Sequence, residues 1–323
     1  MTKKMPSAHG RRVRQVSFWA IKFLVSAGLI GYLLVRIGVG NALERASAIP
    51  ATSLFGAFCL LLLQAVLGGL RWRFVVIALG ARLAAVKAIL ITFVSLFFNQ
   101  FLPASIGADI VRVWQANRAG LTVPTAVTSV ILERFGNLLC VIAMTLAAIP
   151  VWTKHFYGGT ARSAFLIIGV VAVLLLIAMM YLDRLPAAWR RWGVVRWLAK
   201  LAHDSRSLFL HPFYASMFCA TAIAGQLALV TAALLLAEGL GLNLRLVDFL
   251  ATIPAVALVS SLPISVAGWG VREFAMVSAF GMLSVPAESA LALSLVLALA
   301  GVAVSLPGGL VWLSLRHDHR RKG

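Results

Sequence analysis

The chain has 323 residues, 61% of them hydrophobic and only 12% charged, against ~45–50% apolar and ~25% charged for an ordinary soluble domain. That balance excludes a soluble globular enzyme; at about 20 apolar residues per bilayer-spanning helix it provides for roughly six to eight crossings. A membrane β-barrel is excluded too, because its strands would alternate polar and apolar residues over about 10 positions, whereas Val170 to Met180 is apolar on every side.

The net charge of +19 comes from 29 Lys and Arg against 10 Asp and Glu. In a soluble protein this would suggest a nucleic-acid partner, but the placement argues for topology, and no such partner is expected. Nineteen of the cations gather in four segments: Lys3 to Arg14, Arg71 to Lys87, Arg184 to Arg206, and Arg316 to Lys322. Cytoplasmic loops retain Lys and Arg during insertion, and the same cations attract anionic headgroups by about 1 kcal/mol each. Cys59, Cys140 and Cys219 each lie in an apolar run and read as small buried hydrophobes, with no disulfide framework.

In chain order, residues 1–16 form a basic cytoplasmic tail, 17–314 a single transmembrane domain, and 315–323 a second basic cytoplasmic tail. The expected full spans are Ser17 to Val35, Ala51 to Leu70, Pro124 to Pro150, Ala164 to Leu182, Pro212 to Ala237 and Glu288 to Ser314. The first resembles a signal peptide, with Ala46-Ser47-Ala48 beyond it, but Val16 to Val35 is too long for a typical signal core, so an uncleaved span is expected. Two more apolar regions, Val86 to Gly120 and Val247 to Leu283, are each interrupted by a Pro/Gly/Ser-rich break. Such breaks are tolerated at membrane depth only where the freed backbone faces protein or a wet cavity.

The two breaks match each other. Leu102, Pro103, Ser105, Val111 and Arg112 recur as Leu262, Pro263, Ser265, Val271 and Arg272, five of eleven positions at a constant offset of 160 residues. Three full spans separate them, so the copies should point in opposite directions across the bilayer, as an inverted repeat. With a cytoplasmic N-terminus, every cation-rich loop then falls inside. Re-entrant hairpins and pairs of complete helices give the same loop sides; the short, polar Ser105 to Leu121 favours a hairpin for the first region. The fold class expected is therefore an all-α polytopic membrane protein with about six full spans and two broken, re-entrant hairpins. Between the repeats, 183–211 is expected to hold a cationic interfacial helix, because Val194, Trp197, Leu198 and Leu201 share one face opposite Arg196 and Lys200.

Charges at membrane depth cost at least ~2.5–3.5 kcal/mol each, which makes the few present functional candidates. Ser105, Asp109 and Arg112 stand at i, i+4 and i+7 on one face of a helix beginning after Pro103. Ser265 and Arg272 repeat the spacing, with Glu273 following. Two half-helix N-termini with unpaired N–H groups suit a phosphate or carboxylate, and an arginine two turns in adds bidentate donors. Asp109 with Arg112, and Arg272 with Glu273, also suit plain mutual neutralisation. Glu133-Arg134 is the other charged pair at depth, suited equally to a bundle-locking salt bridge and to a counter-charge for a cationic headgroup. No Walker motif, metal-ligand spacing or nucleophile–base pair is evident, so neither catalysis nor a cofactor is expected.

These residues carry a resemblance. Phe97 to Arg112, Leu132-Glu133-Arg134-Phe135-Gly136, Leu262 to Ser265 and Gly268 to Glu273 resemble the transmembrane, flippase-like region of lysylphosphatidylglycerol synthases. Ala108 departs from the pattern, which has a second glycine there. The resemblance implies a stand-alone bacterial inner-membrane domain that moves an aminoacylated, isoprenoid-related or other phospholipid between leaflets. It does not imply lipid aminoacylation, which in fused relatives belongs to a separate soluble domain. Ser105, Asp109, Arg112, Glu133, Arg134, Ser265, Arg272 and Glu273 are the expected substrate-binding residues. A non-transporting partner that recruits a lipid-modifying enzyme through Arg184 to Arg206 is the alternative.

Overall fold

Helices in this chain end where glycine, proline or a polar turn interrupts an apolar run. The computed structural model describes residues 44–101, 105–148, 193–261 and 269–320, with single residues 150, 170, 174 and 181. The expected spans Ser17 to Val35 and, almost entirely, Ala164 to Leu182 lie outside these residues, as do Ser265 and the N-terminal tail. No strand occurs among the described residues. Their helices are α1 (Ala51–Ala78), α2 (Ala85–Phe101), α3 (Ser105–Arg118), α4 (Val123–Ala147), α5 (Gly193–Phe209), α6 (Pro212–Gly239), α7 (Leu246–Ser260), α8 (Val271–Gly281) and α9 (Ala287–Arg320).

By length and composition, α1, α4, α6 and the apolar part of α9 can each cross a membrane. The chain is a multi-pass helical membrane protein. Each broken region is a pair of short helices. With 17, 14, 15 and 11 residues, α2, α3, α7 and α8 reach about 25, 21, 22 and 16 Å at 1.5 Å per residue, less than the ~30 Å hydrocarbon core.

One boundary differs from expectation in a way that matters for the site. The span expected to end at Leu70 continues as helix to Ala78, so Arg71, Trp72 and Arg73 belong to α1 and not to a cytoplasmic loop. The charges do not stop the helix, because no glycine or proline intervenes before Gly80. There the chain turns on a left-handed glycine (φ 75°), and the Ala81 amide donates to the Val76 carbonyl at 3.1 Å. α6 ends in the same way: Gly241 has φ 73°, and the Leu242 amide donates to the Ala237 carbonyl at 2.9 Å. This is the αL termination that a helix finds at glycine.

α1 and α6 are the central pair, and they run antiparallel. Gly239, at the end of α6, meets Ile49, Pro50 and Ser53 at the start of α1; Gly56 approaches Leu235, and Gly225 approaches Gln64 and Leu67. α2 lies against α1, α3 and α9, while α7 lies against α6, α8 and α4. Small residues permit this closeness, as in other membrane bundles. A Cβ on Gly308 of α9 would collide with the backbone of Phe93 in α2, and one on Gly69 of α1 with that of Ile89.

The amphipathic α5 uses its apolar face on the bundle. Leu201 and Leu208 are buried with Leu132, Phe218 and Val75, leaving Lys200 exposed. The helix is thus docked on the bundle through its apolar residues. The cysteines differ from expectation as well: Cys59 and Cys219 are on the outer surface of the helices, and the Cys140 and Cys219 thiols are neighbours across α4 and α6.

Candidate functional site

The site begins with α3. Ser95 of α2 donates its hydroxyl to the Ala108 carbonyl at 3.1 Å, tying the two short helices together below the break. Asp109 and Arg112 then lie one turn apart on α3 and face α4, where Glu133 and Arg134 are adjacent in sequence. The pairing crosses over. Arg112 Nη1 donates to Glu133 Oε2 at 3.0 Å, while Arg134 Nε meets Asp109 Oδ2 at 2.6 Å. Asp109 and Arg112 therefore form no direct ion pair with one another; each has its direct partner on α4, because i and i+3 side chains on one face project toward the same neighbouring helix.

Glu133 is the hub. It is 4% exposed, and it binds a second guanidinium from α1: Arg71 donates from Nε at 2.8 Å and from Nη2 at 2.5 Å to Glu133 Oε1. Both carboxylate oxygens are thus occupied by arginines from different helices. Arg71 sits about 10 Å below the C-terminal end of α1, seven residues at 1.5 Å each.

Arg112 is held on its other sides as well. Nη2 donates to the Thr92 hydroxyl at 3.3 Å, and the guanidinium lies 4.9 Å from the centroid of the Trp72 ring, within cation–π range. Trp72 is fully buried and fixed by its indole N–H, which donates to Ser129 Oγ at 3.0 Å. Consecutive residues of α1 thereby serve one site: Arg71 holds the carboxylate, and Trp72 covers the guanidinium that shares it. Two buried polar atoms have no hydrogen-bond partner here, Arg112 Nε and Asp109 Oδ1. Arg71 and Arg112 thus share the single Glu133 carboxylate, two guanidiniums on one buried negative charge.

The second break forms its own centre. Gly270 takes φ 85°, a conformation glycine adopts without strain, and starts α8. Glu273, 2% exposed, turns back so that Oε2 accepts the Gly270 amide at 2.6 Å. Its Oε1 accepts from Arg272 Nε at 3.1 Å and Nη2 at 2.5 Å. Arg272 lies 5.0 Å from the Trp269 ring centroid. Arg272 and Glu273 therefore neutralise each other, as their sequence allowed. The two centres share a plan in which a buried glutamate holds an arginine that lies against a tryptophan.

Of the expected site residues, the structure brings Asp109, Arg112, Glu133 and Arg134 together and pairs Arg272 with Glu273. Ser105 opens α3, and its side chain lies outside the described residues, as does all of Ser265. Sequence reasoning missed Arg71, Trp72, Thr92 and Ser129. The signal for the first two was the absence of a helix breaker between Leu70 and Gly80; Thr92 and Ser129 are common residues in apolar helices and carried none.

No curated protein matches the chain. A family model described as the lysylphosphatidylglycerol synthase TM region matches residues 19–309, which contain both broken regions and every charged residue of the two centres. The chain belongs to the lysylphosphatidylglycerol synthase transmembrane-region family.

Proposed function

We propose that the protein moves a phospholipid between the leaflets of the bacterial inner membrane and performs no covalent chemistry. The observation that carries this reading is the buried group of Arg71, Arg112 and Glu133, two guanidiniums on one carboxylate. It stands beside a broken helical region and leaves the Arg112 Nε donor unpartnered. A buried guanidinium with an unused donor suits a phosphate, and at membrane depth the phosphate at hand belongs to a lipid.

Several features support an inverted repeat as the transport framework. α1 and α2 start at residues 51 and 85, and α6 and α7 start 161 residues later, at 212 and 246. The packing partners exchange in the same way: α2 lies on α9 and α7 lies on α4, the second and fourth helices of opposite halves. The corresponding helices α1 and α6 run antiparallel. Arg112 and Arg272 then serve phosphate from opposite faces, with re-entrant hairpins returning to their own sides and both termini cytoplasmic. A recruiting partner, the alternative reading, would meet the cationic side of α5.

The test is leaflet exchange of labelled anionic, zwitterionic and aminoacylated lipids in liposomes holding the purified protein. Selective exchange by the wild type, lost in Arg112→Ala and in Arg272→Ala, is expected. Intact exchange in both folded variants would remove the phosphate site, and neutralising Arg196 and Lys200 should leave exchange unchanged.

A further inference from the structure

Glu133 occupies the position that a ligand anion would take. Its two oxygens accept from Arg71 and from Arg112, the forked arrangement that guanidiniums offer to the oxygens of a phosphate. Arg272 is engaged in the same manner by Glu273. A phosphate diester arriving at Arg112 and Arg71 therefore competes directly with the Glu133 carboxylate.

What happens to the displaced carboxylate follows from its surroundings. The charged groups facing Glu133 are Arg71 from α1, Arg112 and Asp109 from α3, and Arg134 on its own helix. Asp109 already engages Arg134. α6 and α7 bring only Glu238 and Asp248 near their ends, and on α5 Asp204 interacts with Lys200 and His203. A carboxylate that gives up Arg71 and Arg112 has no unengaged cation among these. An isolated buried carboxylate takes a proton in preference to remaining charged.

We propose that Glu133 is a proton-binding site coupled to the lipid phosphate. A phosphate diester settles on Arg71 and Arg112, the Glu133 carboxylate leaves them and takes up one proton, and departure of the lipid reverses both steps. The diester brings one negative charge and the proton one positive, so the summed charge of Arg71, Arg112, Glu133 and the bound diester equals that of the ligand-free group; the only covalent bond formed is the O–H of Glu133. The coupling rests on the phosphate site proposed above and supplies a reason for a carboxylate to stand in it: the ligand-free arginines stay neutralised in the membrane, and a proton is taken up with the cargo.

The experiment uses the full chain in phosphate-free maltoside micelles and a short-chain phosphatidylglycerol as probe, whose phosphodiester does not titrate near neutrality. Calorimetry in buffers of different ionisation enthalpy counts protons per lipid bound. Uptake close to one proton is expected, with affinity falling about tenfold per unit of rising pH across roughly pH 6 to 8. In Glu133→Gln the affinity becomes independent of pH and exceeds the wild-type value at the alkaline end. Binding by the wild type with no proton uptake overturns the coupling and leaves the phosphate site standing; no binding at any pH overturns both. If Glu133→Gln does not fold, Asp109→Asn decides: retained uptake of about one proton keeps the proton on Glu133, and loss of uptake assigns it to Asp109 and overturns the proposal.

Discussion

Arg71 and Arg112 share one carboxylate, so Glu133 cannot be removed without leaving two guanidiniums in a buried site. Breaking a buried ion pair from one side costs about 3–5 kcal/mol, because the surviving charge loses its compensation and does not regain water. Glu133→Gln is therefore expected to destabilise the folded protein by about that amount. Arg71→Met should cost less, since Glu133 keeps Arg112. Unfolding of the detergent-solubilised variants by a chemical denaturant measures both, and equal costs would deny Glu133 its place as hub. A smaller effect belongs to Ser129. Truncating it to Ala leaves the fully buried Trp72 N–H without its acceptor, at about 1–3 kcal/mol, while Ser216→Ala, an exposed residue bonded only to its own helix, serves as the near-neutral control. Four of the cluster's charged residues were legible in the sequence, because charge at membrane depth is rare enough to stand out. Their partners were not: the pairing depends on which helix faces which, and spacing within one helix says nothing about that.

At the scale of elements, α9 contains a contrast that isolates packing from propensity. Gly301 and Gly308 both lie inside this helix, yet a Cβ on Gly301 meets nothing within 4 Å whereas one on Gly308 meets the Phe93 carbonyl of α2. Backbone cannot swing aside as a flexible side chain can. Gly308→Ala should push α9 from α2 and cost about 1–3 kcal/mol or more, as overpacking does. Gly301→Ala should instead stabilise by ~0.5–1 kcal/mol, the cost of a glycine in a helix interior. Denaturant unfolding of the two variants side by side gives the sign of each, and two changes of the same sign would contradict the packing. Sequence reasoning located the helices from their apolar length and the breaks from Pro103 and Pro263, but it ended α1 at the first charge. Charged residues do not terminate a helix whose far side is packed against protein, and Trp72, fully buried, is what packs there.

For the molecule as a whole, the antiparallel course of α1 and α6 is a statement about membrane sides. Both helices are long and apolar enough to span, and the end of α6 lies beside the start of α1. The turn that follows α1 and the turn that follows α6 must then face opposite surfaces, although their glycine caps are alike. Charge agrees: the first turn is flanked by Arg71, Arg73, Arg82 and Lys87, whereas the second is flanked by one cation, Arg245, against Glu238 and Asp248, the contrast that retention of cations in the cytoplasm predicts for turns on opposite sides. In a background lacking Cys59, Cys140 and Cys219, Ala84→Cys and Asn243→Cys report the two turns, both at exposed positions. A membrane-impermeant maleimide is expected to label Asn243→Cys in intact spheroplasts and Ala84→Cys only after permeabilisation. Labelling of both from one side would break the inverted relation between the halves. With it would go the argument that Arg112 and Arg272 receive phosphate from opposite leaflets, even if each bound phosphate on its own.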